Sequence, residues 1–221
     1  MIEMLNCDCM EYMATLPDKA FELAIVDPPY GIGNFNSSKT KHKAVTWNEF
    51  IPTDLYFSEL KRVSKNQIIW GGNYYGLKGG AIIHDKLGSE KHKNSATLSD
   101  ADIAYQSFNN LIKIFRYTWK GNVQGNAIVW DCQKIHPCEK PVQLYKWLLQ
   151  HYAKPGDRIL DTHGGSGSIC IACHDLGFDL AWMELDADYY AAAVKRYKTH
   201  AAQTVLFEPV EGKKPVQGDL L

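Results

Sequence analysis

The stretch RILDTHGGSGS, residues 158–168, decides the fold class of this chain of 221 residues. Arg158–Asp161 predicts a short buried strand, and Ser166–Leu176 predicts a helix that ends at Gly177. The turn between them is rich in glycine, which lets a backbone approach a ligand closely. A strand, a glycine-rich turn and a helix in this order form the nucleotide-binding corner of open α/β sheets. The stretch therefore predicts an α/β fold with a ligand crevice at the end of this strand.

An acidic residue at the end of the next strand extends this pattern. That strand is predicted over Leu180–Met183 and leads into Glu184, about twenty residues after the turn, where an acidic side chain commonly holds ribose hydroxyls. The same spacing fits NAD, but the dinucleotide pattern G-x-G-x-x-G is absent, because the glycines stand at 164, 165 and 167. The pattern therefore favours a nucleoside without a pyrophosphate, and a nicotinamide oxidoreductase is the weaker alternative.

Alternating strand and helix signals continue over nearly the whole chain, which predicts a parallel or mixed sheet flanked by helices. Further strands are predicted at Met4–Asn6, Glu22–Val26, Gln67–Trp70, Ala81–His84, Ile103–Ser107 and Ile112–Trp119. Further helices are predicted at Cys9–Leu16 with Asp8 as its cap, and at Thr53–Ser64, Pro141–Ala153 and Ala187–His200. We expect a single domain over residues 1–207, small insertions near 31–48 and 84–130, and a flexible tail over 208–221.

Composition and charge exclude several classes of protein. No apolar run reaches the roughly 18–20 residues that span a bilayer, and the N-terminus is not built like a secretory signal, so we expect a cytoplasmic protein without a membrane partner. The formal net charge is −1, but residues 31–99 contain ten Lys or Arg and five Asp or Glu. This basic part of the chain could contact phosphates, but on charge alone an ordinary solvated loop region is the favoured interpretation.

The six cysteines indicate neither disulfides nor a metal site. Without an export signal, we expect them to be reduced thiols. The segment CIACH at 170–174 matches the pattern of c-type haem attachment, but it lies in a predicted buried helix of a cytoplasmic protein. Neither the pair Cys7 and Cys9 nor the pair Cys132 and Cys138 has the usual spacing of zinc ligands, so no bound metal is expected.

A second motif, Asp27-Pro28-Pro29-Tyr30, follows an apolar strand to the predicted carboxyl edge of the sheet, where open α/β sheets bind ligands. The amino group of adenine or cytosine is a poor nucleophile, because its lone pair is conjugated into the ring. The Asp27 carboxylate and the Pro28 carbonyl could each accept one N–H and localise that lone pair. The prolines fix the loop before the reaction, and Tyr30 offers a flat face for base stacking. The alternative, a rigid structural turn, is the weaker reading.

Together these motifs resemble the DNA amino-methyltransferases of adenine N6 and cytosine N4, in the permuted group whose catalytic motif precedes the cofactor loop. The family's Asp-Pro-Pro-Tyr motif is matched by residues 27–30, and its cofactor loop D-x-F-x-G-S-G-T is similar to residues 161–168. Its H-P-x-x-K-P motif is matched by residues 136–141, and a G-D-C-like segment by residues 7–9. The resemblance covers about residues 1–35 and 130–200, and the order of the motifs is more specific than any one of them.

The resemblance implies a seven-stranded, Rossmann-like methyltransferase sheet with helices on both faces, a small inserted lobe and S-adenosylmethionine as cofactor. The implied cofactor residues are Asp161, Gly165, Ser166 and Gly167 at the methionine and ribose part, Glu184 at the ribose, Asp8 at the adenine amino group, and Lys140 with Pro141 at the methionine end. His163 departs from the pattern, since the family usually has a phenylalanine there that packs against the cofactor. A histidine could stack in the same way or be solvated.

The activity implied by the resemblance is methyl transfer to the exocyclic amino group of a flipped base, without a covalent enzyme intermediate. Aspartate at position 27 favours adenine N6, because serine is more usual there in the cytosine N4 enzymes, and cytosine N4 is the close alternative. RNA adenine and a protein glutamine amide are further substrates to consider. A non-catalytic module that binds S-adenosylmethionine and DNA is a different class, and the intact motif at 27–30 argues against it.

The expected partner is double-stranded DNA, and the resemblance implies a prokaryotic or phage-encoded protein. The chain is short for this group, so any lobe that recognises the target must be small and lie within residues 31–48 and 84–130. A homodimer would be one way for a second subunit to add to the grip on DNA. The candidate DNA contacts are Lys39, Lys41, Lys43, Trp47, Lys91 and Lys93.

Overall fold

The computed structural model describes residues 1–33, 47–87, 99–120, 123–125, 127–128 and 134–203. Within these ranges the strands are β1 (Ile2–Leu5), β2 (Phe21–Val26), β3 (Ser64–Trp70), β4 (Gly80–Asp85), β5 (Ala101–Gln106), β6 (Ile112–Arg116), β7 (Trp119–Lys120), β8 (Val123–Gln124), β9 (Ala127–Ile128), β10 (Arg158–Asp161) and β11 (Asp179–Met183). The helices are α1 (Cys9–Ala14), α2 (Asp54–Val63), α3 (Val142–Tyr152), α4 (Ser168–Leu176) and α5 (Ala187–Ala201), with a 3-10 turn at Trp47–Glu49. Each predicted helix and strand has a counterpart; β10 has the predicted bounds, and the other elements are shifted at one or both ends.

Among the described residues, eight strands form one mixed sheet in the order β1-β11-β10-β2-β3-β5-β4-β6. Neighbours from β1 to β3 pair in parallel, β5 is antiparallel to both β3 and β4, and β6 is parallel to β4. The α/β methyltransferase class is confirmed, but the expected number of seven strands is wrong, because β6 extends the sheet by one strand.

The sequence predicted one strand over Ile112–Trp119, but the structure divides this stretch between two sheets. The first part of this stretch is β6 in the large sheet, and its last residue begins β7, which pairs with β8 in a separate small sheet that also contains β9. Thr118 marks the division, since its carbonyl accepts the N–H of Gly125 at 2.7 Å in the small sheet. The change of pairing partner cannot be seen in the β-branched and aromatic composition that predicted the strand.

The sheet has a topological switch point between β10 and β2. From β10 the chain continues through α4 to β11 on one side, and from β2 it continues to β3 on the other side. Leu160 pairs with Ala24 in parallel, so both strands end at the same edge of the sheet. Open α/β sheets bind ligands in the crevice at such a point. The two sequence motifs that begin at Asp27 and Asp161 therefore meet there.

The two faces of the sheet are covered by separate cores, because successive side chains of a strand point to opposite faces. One core joins Ile159 of β10 to residues of α3 and α4, namely Leu144, Leu148, Ile169, Cys170 and Cys173. The other core joins Leu160 to residues of α1 and α2, namely Met13, Phe57, Leu60 and Val63. The helices hold β10 and β2 from both sides, which fixes the relative position of the two motifs.

The ends of α4 follow from its flanking glycines. The helix was predicted to begin at Ser166 but begins at Ser168, because Gly167 has a φ of 71° and is therefore left-handed. Its end is as predicted, since Gly177 has a φ of 74° and its N–H bonds to carbonyls of the last turn. Asp8 caps α1 as predicted by accepting the N–H of Met10 at 2.7 Å.

Of the helices in the described ranges, none combines the length and the apolar character that crossing a membrane requires. The predicted tail at 208–221 lies outside the described residues, and so do parts of both predicted insertions, 34–46 and 88–98. Cys170 and Cys173, the residues of the rejected haem pattern, are buried free thiols in α4.

Candidate active site

A cavity of about 1050 Å³ opens at the switch point between β10 and β2. Most of the residues predicted for catalysis or cofactor binding line it, namely Asp8, Asp27, Pro28, Pro29, Tyr30, Lys140, His163, Gly165, Ser166 and Glu184. Three predicted cofactor residues do not line it: Asp161 is only 2% exposed, Gly167 caps the start of α4, and Pro141 is buried at the start of α3. The fold thus brings distant motifs into one cavity, while the role of each residue stays a prediction.

The Asp27 carboxylate lies at the centre of a hydrogen-bonded cluster. The Tyr30 hydroxyl donates to Oδ1 at 2.5 Å, and the ammonium of Lys140 donates to Oδ2 and lies 3.3 Å from the Tyr30 hydroxyl. Burial and the negative charge of Asp27 raise the pKa of Tyr30, so its hydroxyl stays protonated. Because each carboxylate oxygen can accept two hydrogen bonds, both oxygens of Asp27 keep capacity for a further N–H donor.

The two proline carbonyls of the motif are held by Tyr75, which the sequence analysis did not single out. Its hydroxyl donates to the carbonyl of Pro28 at 2.7 Å and to that of Pro29 at 2.9 Å. Burial and the nearby charge of Asp27 raise the pKa of Tyr75, which keeps the hydroxyl a donor. A carbonyl oxygen has two lone pairs, so Pro28 can still accept a hydrogen bond from a ligand. Tyr75 therefore fixes the Pro28 carbonyl and leaves one of its lone pairs for a ligand.

The Tyr30 ring lies in a shaped slot. Its ring stacks on that of Tyr74, with centroids 5.0 Å apart and planes inclined by 17°. A Cβ on Gly71 would lie 2.4 Å from the Tyr30 ring, so only glycine fits beside it. The backbone N–H of Tyr30 donates to Asn48 Oδ1 at 2.9 Å, and Asn48 in turn donates to the Gly33 carbonyl at 2.7 Å. One stacking face of Tyr30 is thus already covered by a partly exposed side chain.

Lys140 lies nearer to the Asp-Pro-Pro-Tyr motif than the resemblance implied. Although burial opposes its charge, the carboxylates of Asp27 and Asp102 raise the pKa of Lys140, so it is a buried cation. Its ammonium also lies over the Trp70 ring, 5.1 Å from the centroid. The structure thus places this charge at the Asp-Pro-Pro-Tyr motif, and its predicted contact with the methionine end of a cofactor stays a prediction.

The glycine-rich turn is organised around Glu184. Its two carboxylate oxygens accept the N–H of Gly165 and the N–H of Asp186, each at 2.8 Å. Gly165 has a φ of 53°, and this left-handed conformation allows the turn to bend toward the carboxylate. Each oxygen of Glu184 keeps a lone pair, so the carboxylate can bind a pair of ligand hydroxyls while it orders the turn. This geometry suits the ribose role predicted from the sequence.

Asp161 and His163 are both shifted toward their neutral forms. Burial raises the pKa of Asp161 to about 8, although its carboxylate accepts the N–H of His163 at 3.1 Å. Burial lowers the pKa of His163 to about 4. The imidazole Nδ1 lies 2.9 Å from the hydroxyl of Thr162, which lies 2.7 Å from the hydroxyl of Tyr56. The end of β10 is therefore a nearly neutral, hydrogen-bonded wall of the cavity.

Arg196 of α5 connects the glycine-rich turn to the segment that carries Lys140. Its guanidinium donates to the carbonyl of Ser166 and to the hydroxyl of Ser168, each at 3.0 Å, and lies 3.5 Å from the carboxylate of Glu139. The sequence analysis did not identify this residue, because it stands in an unremarkable stretch of an amphipathic helix. Its contacts fix the two cofactor-side motifs relative to each other.

The predicted DNA contacts cannot be compared with the structure. Lys39, Lys41, Lys43, Lys91 and Lys93 lie outside the described residues, and of Trp47 only the backbone in the 3-10 turn is described. Other basic residues do line the cavity, namely Lys86, Lys120 and Lys134. Lys86 donates to Asp102 at 2.9 Å, and the ammonium of Lys134 lies 5.2 Å from the centroid of the Trp119 ring.

The family model described as DNA methylase matches residues 82–195 of this chain. Among curated proteins, YubD of Escherichia coli (strain K12), a proposed methylase, is 24% identical over 217 residues, which cover 89% of this chain and 90% of that protein.

Two solved structures share the fold. The M1.HpyAVI–SAM complex matches with a TM-score of 0.55 and 18% identity, over 89% of this chain and 100% of the other. The cytosine-N4-specific PvuII DNA methyltransferase matches with a TM-score of 0.58 and 13% identity, over 90% of both chains. At these identities the likeness of the structures shows the fold alone.

Proposed function

The chain belongs to the DNA methylase family of N6-adenine and N4-cytosine amino-methyltransferases, and from this premise we propose that it methylates the N6 amino group of adenine in double-stranded DNA. S-adenosylmethionine is the methyl donor, as in the complex of M1.HpyAVI with this compound. The residues that carry the reaction are the acceptors of the motif at 27–30. The residues of the glycine-rich turn and Glu184 hold the donor beside them.

One observation carries the proposal: Asp27 and the Pro28 carbonyl are two fixed hydrogen-bond acceptors at the switch point, each with a free lone pair. Lys140 and Tyr30 orient Asp27, and Tyr75 orients the Pro28 carbonyl. An amino group that donates one N–H to each acceptor is drawn toward tetrahedral geometry, and its lone pair becomes available for attack. Acceptors that are fixed in advance need no reorganisation during the reaction.

The cavity fits the cofactor in size and in chemistry. A volume of about 1050 Å³ is at the upper end of ordinary ligand pockets and can hold a nucleoside next to a base. A Cβ on Gly164 would lie 1.9 Å from the Trp182 side chain, so the turn keeps its close path only with glycine there. The Glu184 carboxylate supplies two acceptors for ribose hydroxyls, and Asp8 supplies another carboxylate in the same cavity.

When bound, S-adenosylmethionine supplies an electrophilic methyl group on a sulfonium. The chain contributes position and charge: Asp27 and Pro28 hold the amino nitrogen in line with this group, and the Asp27 carboxylate stabilises the positive charge that develops on the nitrogen. The ammonium of Lys140 contacts the Asp27 carboxylate directly, and this contact fixes the position of the carboxylate. No side chain is required to form a covalent bond with the base.

The test of the proposal is the replacement of Asp27. We expect Asp27→Ala to lower the rate of labelled methyl transfer to unmethylated DNA by at least about a hundredfold, the usual effect of removing a transition-state contact. The Kd for S-adenosylmethionine should change little. Asp27→Asn, which keeps one oxygen acceptor and the shape of the side chain, should give an intermediate rate. Asp54→Ala, a change at an exposed aspartate of α2, is the matched control. An Asp27→Ala enzyme with wild-type activity would rule out the assignment.

The same experiment identifies the base. The acceptor pair at 27–30 would serve the amino group of cytosine equally well, and PvuII methyltransferase, described as cytosine-N4-specific, shares the fold. Nucleoside mass spectrometry of DNA methylated by this protein separates N6-methyladenine from N4-methylcytosine. Detection of N4-methylcytosine alone would replace adenine as the proposed target.

The homodimer is also part of the proposal, because part of the DNA grip would then come from a second copy. Sedimentation of the protein with and without a duplex that contains its target reports the number of subunits. A monomer in both samples would remove the dimer from the proposal and leave the reaction unchanged.

A further inference from the structure

The end of β10 contains a chain of three hydrogen-bonding side chains that leads from the interior to the cavity. The Tyr56 hydroxyl lies 2.7 Å from the Thr162 hydroxyl, and the Thr162 hydroxyl lies 2.9 Å from Nδ1 of His163. All three side chains line the cavity, but Tyr56 and Thr162 are each only 4% exposed. The Tyr56 ring packs edge-on against the imidazole, with centroids 5.2 Å apart, which restricts how far that ring can turn.

The direction of the hydrogen bonds among Tyr56, Thr162 and His163 decides which imidazole nitrogen carries the hydrogen. If Tyr56 donates to Thr162 and Thr162 donates to Nδ1, both hydroxyl hydrogens have an acceptor. If Nδ1 carried the hydrogen and donated to Thr162, the direction would reverse and the Tyr56 hydrogen would need a different acceptor. The other contact of this hydroxyl, at 3.5 Å, is Nδ1 itself, which would then be a donor. A buried phenol hydrogen without an acceptor is unfavourable, so the first arrangement is the stable one.

We propose that His163 is a neutral imidazole locked as the Nε2–H tautomer, and that this N–H is a fixed hydrogen-bond donor to an acceptor atom in the nucleoside part of the methyl donor. The inference rests on the proposed function, because it names a contact of the same cofactor site. Nδ1 is turned into the wall by Thr162 and Tyr56, so Nε2 is the ring nitrogen left for the cavity. Among the described residues, no side chain or backbone group hydrogen-bonds to Nε2.

The surroundings of His163 favour a neutral donor over a cation. Burial lowers the pKa of His163 to about 4, so the ring is uncharged at neutral pH. We assign the nucleoside part of the methyl donor as the hydrogen-bond partner of Nε2 because of Asp8. The Asp8 carboxylate interacts electrostatically with the imidazole and lines the same cavity. A carboxylate acceptor and an N–H donor together match a nucleobase edge, which presents N–H and ring-nitrogen groups next to each other. The phenylalanine that usually stands at this position of the family would offer a ring face and no donor.

The first test reads the tautomer in the unmutated protein. Two-dimensional nitrogen–proton correlation of histidine labelled with ¹⁵N, at about neutral pH, distinguishes the protonated from the unprotonated ring nitrogen. We expect Nε2 of His163 to be protonated and Nδ1 unprotonated. The peak is assigned with His163→Gln, and Thr162→Val should abolish the preference because it removes the middle hydroxyl. A hydrogen on Nδ1 in the wild-type protein would overturn the inference.

The second test measures cofactor affinity by calorimetry with S-adenosylmethionine and with adenosine. Glutamine places an amide N–H near the position of Nε2, whereas asparagine places it near Nδ1, so the two variants are matched controls for each other. We expect His163→Phe and His163→Asn to weaken both ligands about tenfold, the effect of one hydrogen bond, and His163→Gln to bind nearly as the wild type. Wild-type affinity in His163→Phe would overturn the inference.

The two proposals can fail separately. A wild-type protein that binds neither S-adenosylmethionine nor its analogue sinefungin would contradict the proposed function, while the nitrogen spectrum would still report the tautomer. A wild-type protein that binds S-adenosylmethionine, together with an unaffected His163→Phe variant, would contradict only the role of His163.

Discussion

Replacing Asp161 by asparagine should change how the stability of this protein depends on pH. Folding raises the pKa of this carboxyl from 3.8 to about 8, mainly through burial. Between these two values the folded state binds the proton more tightly than the unfolded chain does. The stabilisation from the protonated group is therefore complete below about pH 4 and is lost as the pH rises toward about 8.

The magnitude follows from the size of the pKa shift. Each pKa unit corresponds to roughly 1.4 kcal/mol, so a shift of about four units amounts to roughly 6 kcal/mol over the whole window. The asparagine side chain of the variant would remain neutral in both states, and its oxygen could still accept the N–H that His163 donates to Asp161 at 3.1 Å. The free energy of unfolding of the wild type, minus that of Asp161→Asn, should therefore fall by roughly 1.4 kcal/mol per pH unit between about pH 5 and pH 7.

Urea denaturation of both proteins at several pH values between about 5 and 9 measures this difference. Taking the difference removes the contributions of groups that do not interact with Asp161. Gln150→Ala, a change at an exposed side chain of α3 that does not titrate, should give a curve nearly parallel to that of the wild type. If the curves of the wild type and Asp161→Asn were parallel as well, Asp161 would not titrate on unfolding in this window, and the account of a neutral wall at the end of β10 would be refuted.

Two further changes test the residues that hold the site. Tyr75→Phe removes the hydroxyl that donates to the carbonyls of Pro28 and Pro29, and we expect kcat to fall roughly tenfold, equivalent to about 1.4 kcal/mol, with the Kd for S-adenosylmethionine unchanged. Steady-state kinetics and calorimetry check this, and a changed Kd with an unchanged kcat would contradict it. Arg196→Ala leaves the Ser166 carbonyl without its guanidinium donor, and we expect cofactor affinity to fall by about 1–2 kcal/mol. Calorimetry checks this against Arg196→Lys, which should lose less, and equal affinities of all three proteins would contradict it.

The sequence was informative about the site wherever function depends on a short contiguous motif. Asp27–Tyr30 and the turn before α4 were predicted at the ends of two strands, and both line one cavity. Local patterns sufficed because an apolar strand followed by two prolines, or by several glycines, has few other structures open to it. Alternating helices and strands indicated a parallel or mixed sheet, but not the strand order that places β10 next to β2.

The residues that position these motifs were missed, because their role depends on tertiary contacts. Tyr75 reaches the proline carbonyls only because β3 lies next to β2, and Tyr56 reaches Thr162 only because α2 packs on the end of β10. In the sequence, both are aromatic residues in segments without a motif. The contact between the Lys140 ammonium and Asp27 was missed for the same reason, because the two residues are far apart in the sequence. The division of Ile112–Trp119 into two strands has the same cause, since the pairing partner is not encoded in local composition.

The hydrogen-bond acceptors of the site can bind a ligand as they stand, whereas one face of the Tyr30 ring is covered by Tyr74. Asp27 and the Pro28 carbonyl keep free lone pairs, so an incoming amino group can bind while the donors from Lys140 and Tyr75 stay in place. One face of the Tyr30 ring is instead covered by Tyr74. Tyr74 is 47% exposed, so its ring can turn into solvent at small cost. A base that stacked on this face of Tyr30 would therefore displace Tyr74 and leave the proposed acceptors undisturbed, as expected of a preorganised site.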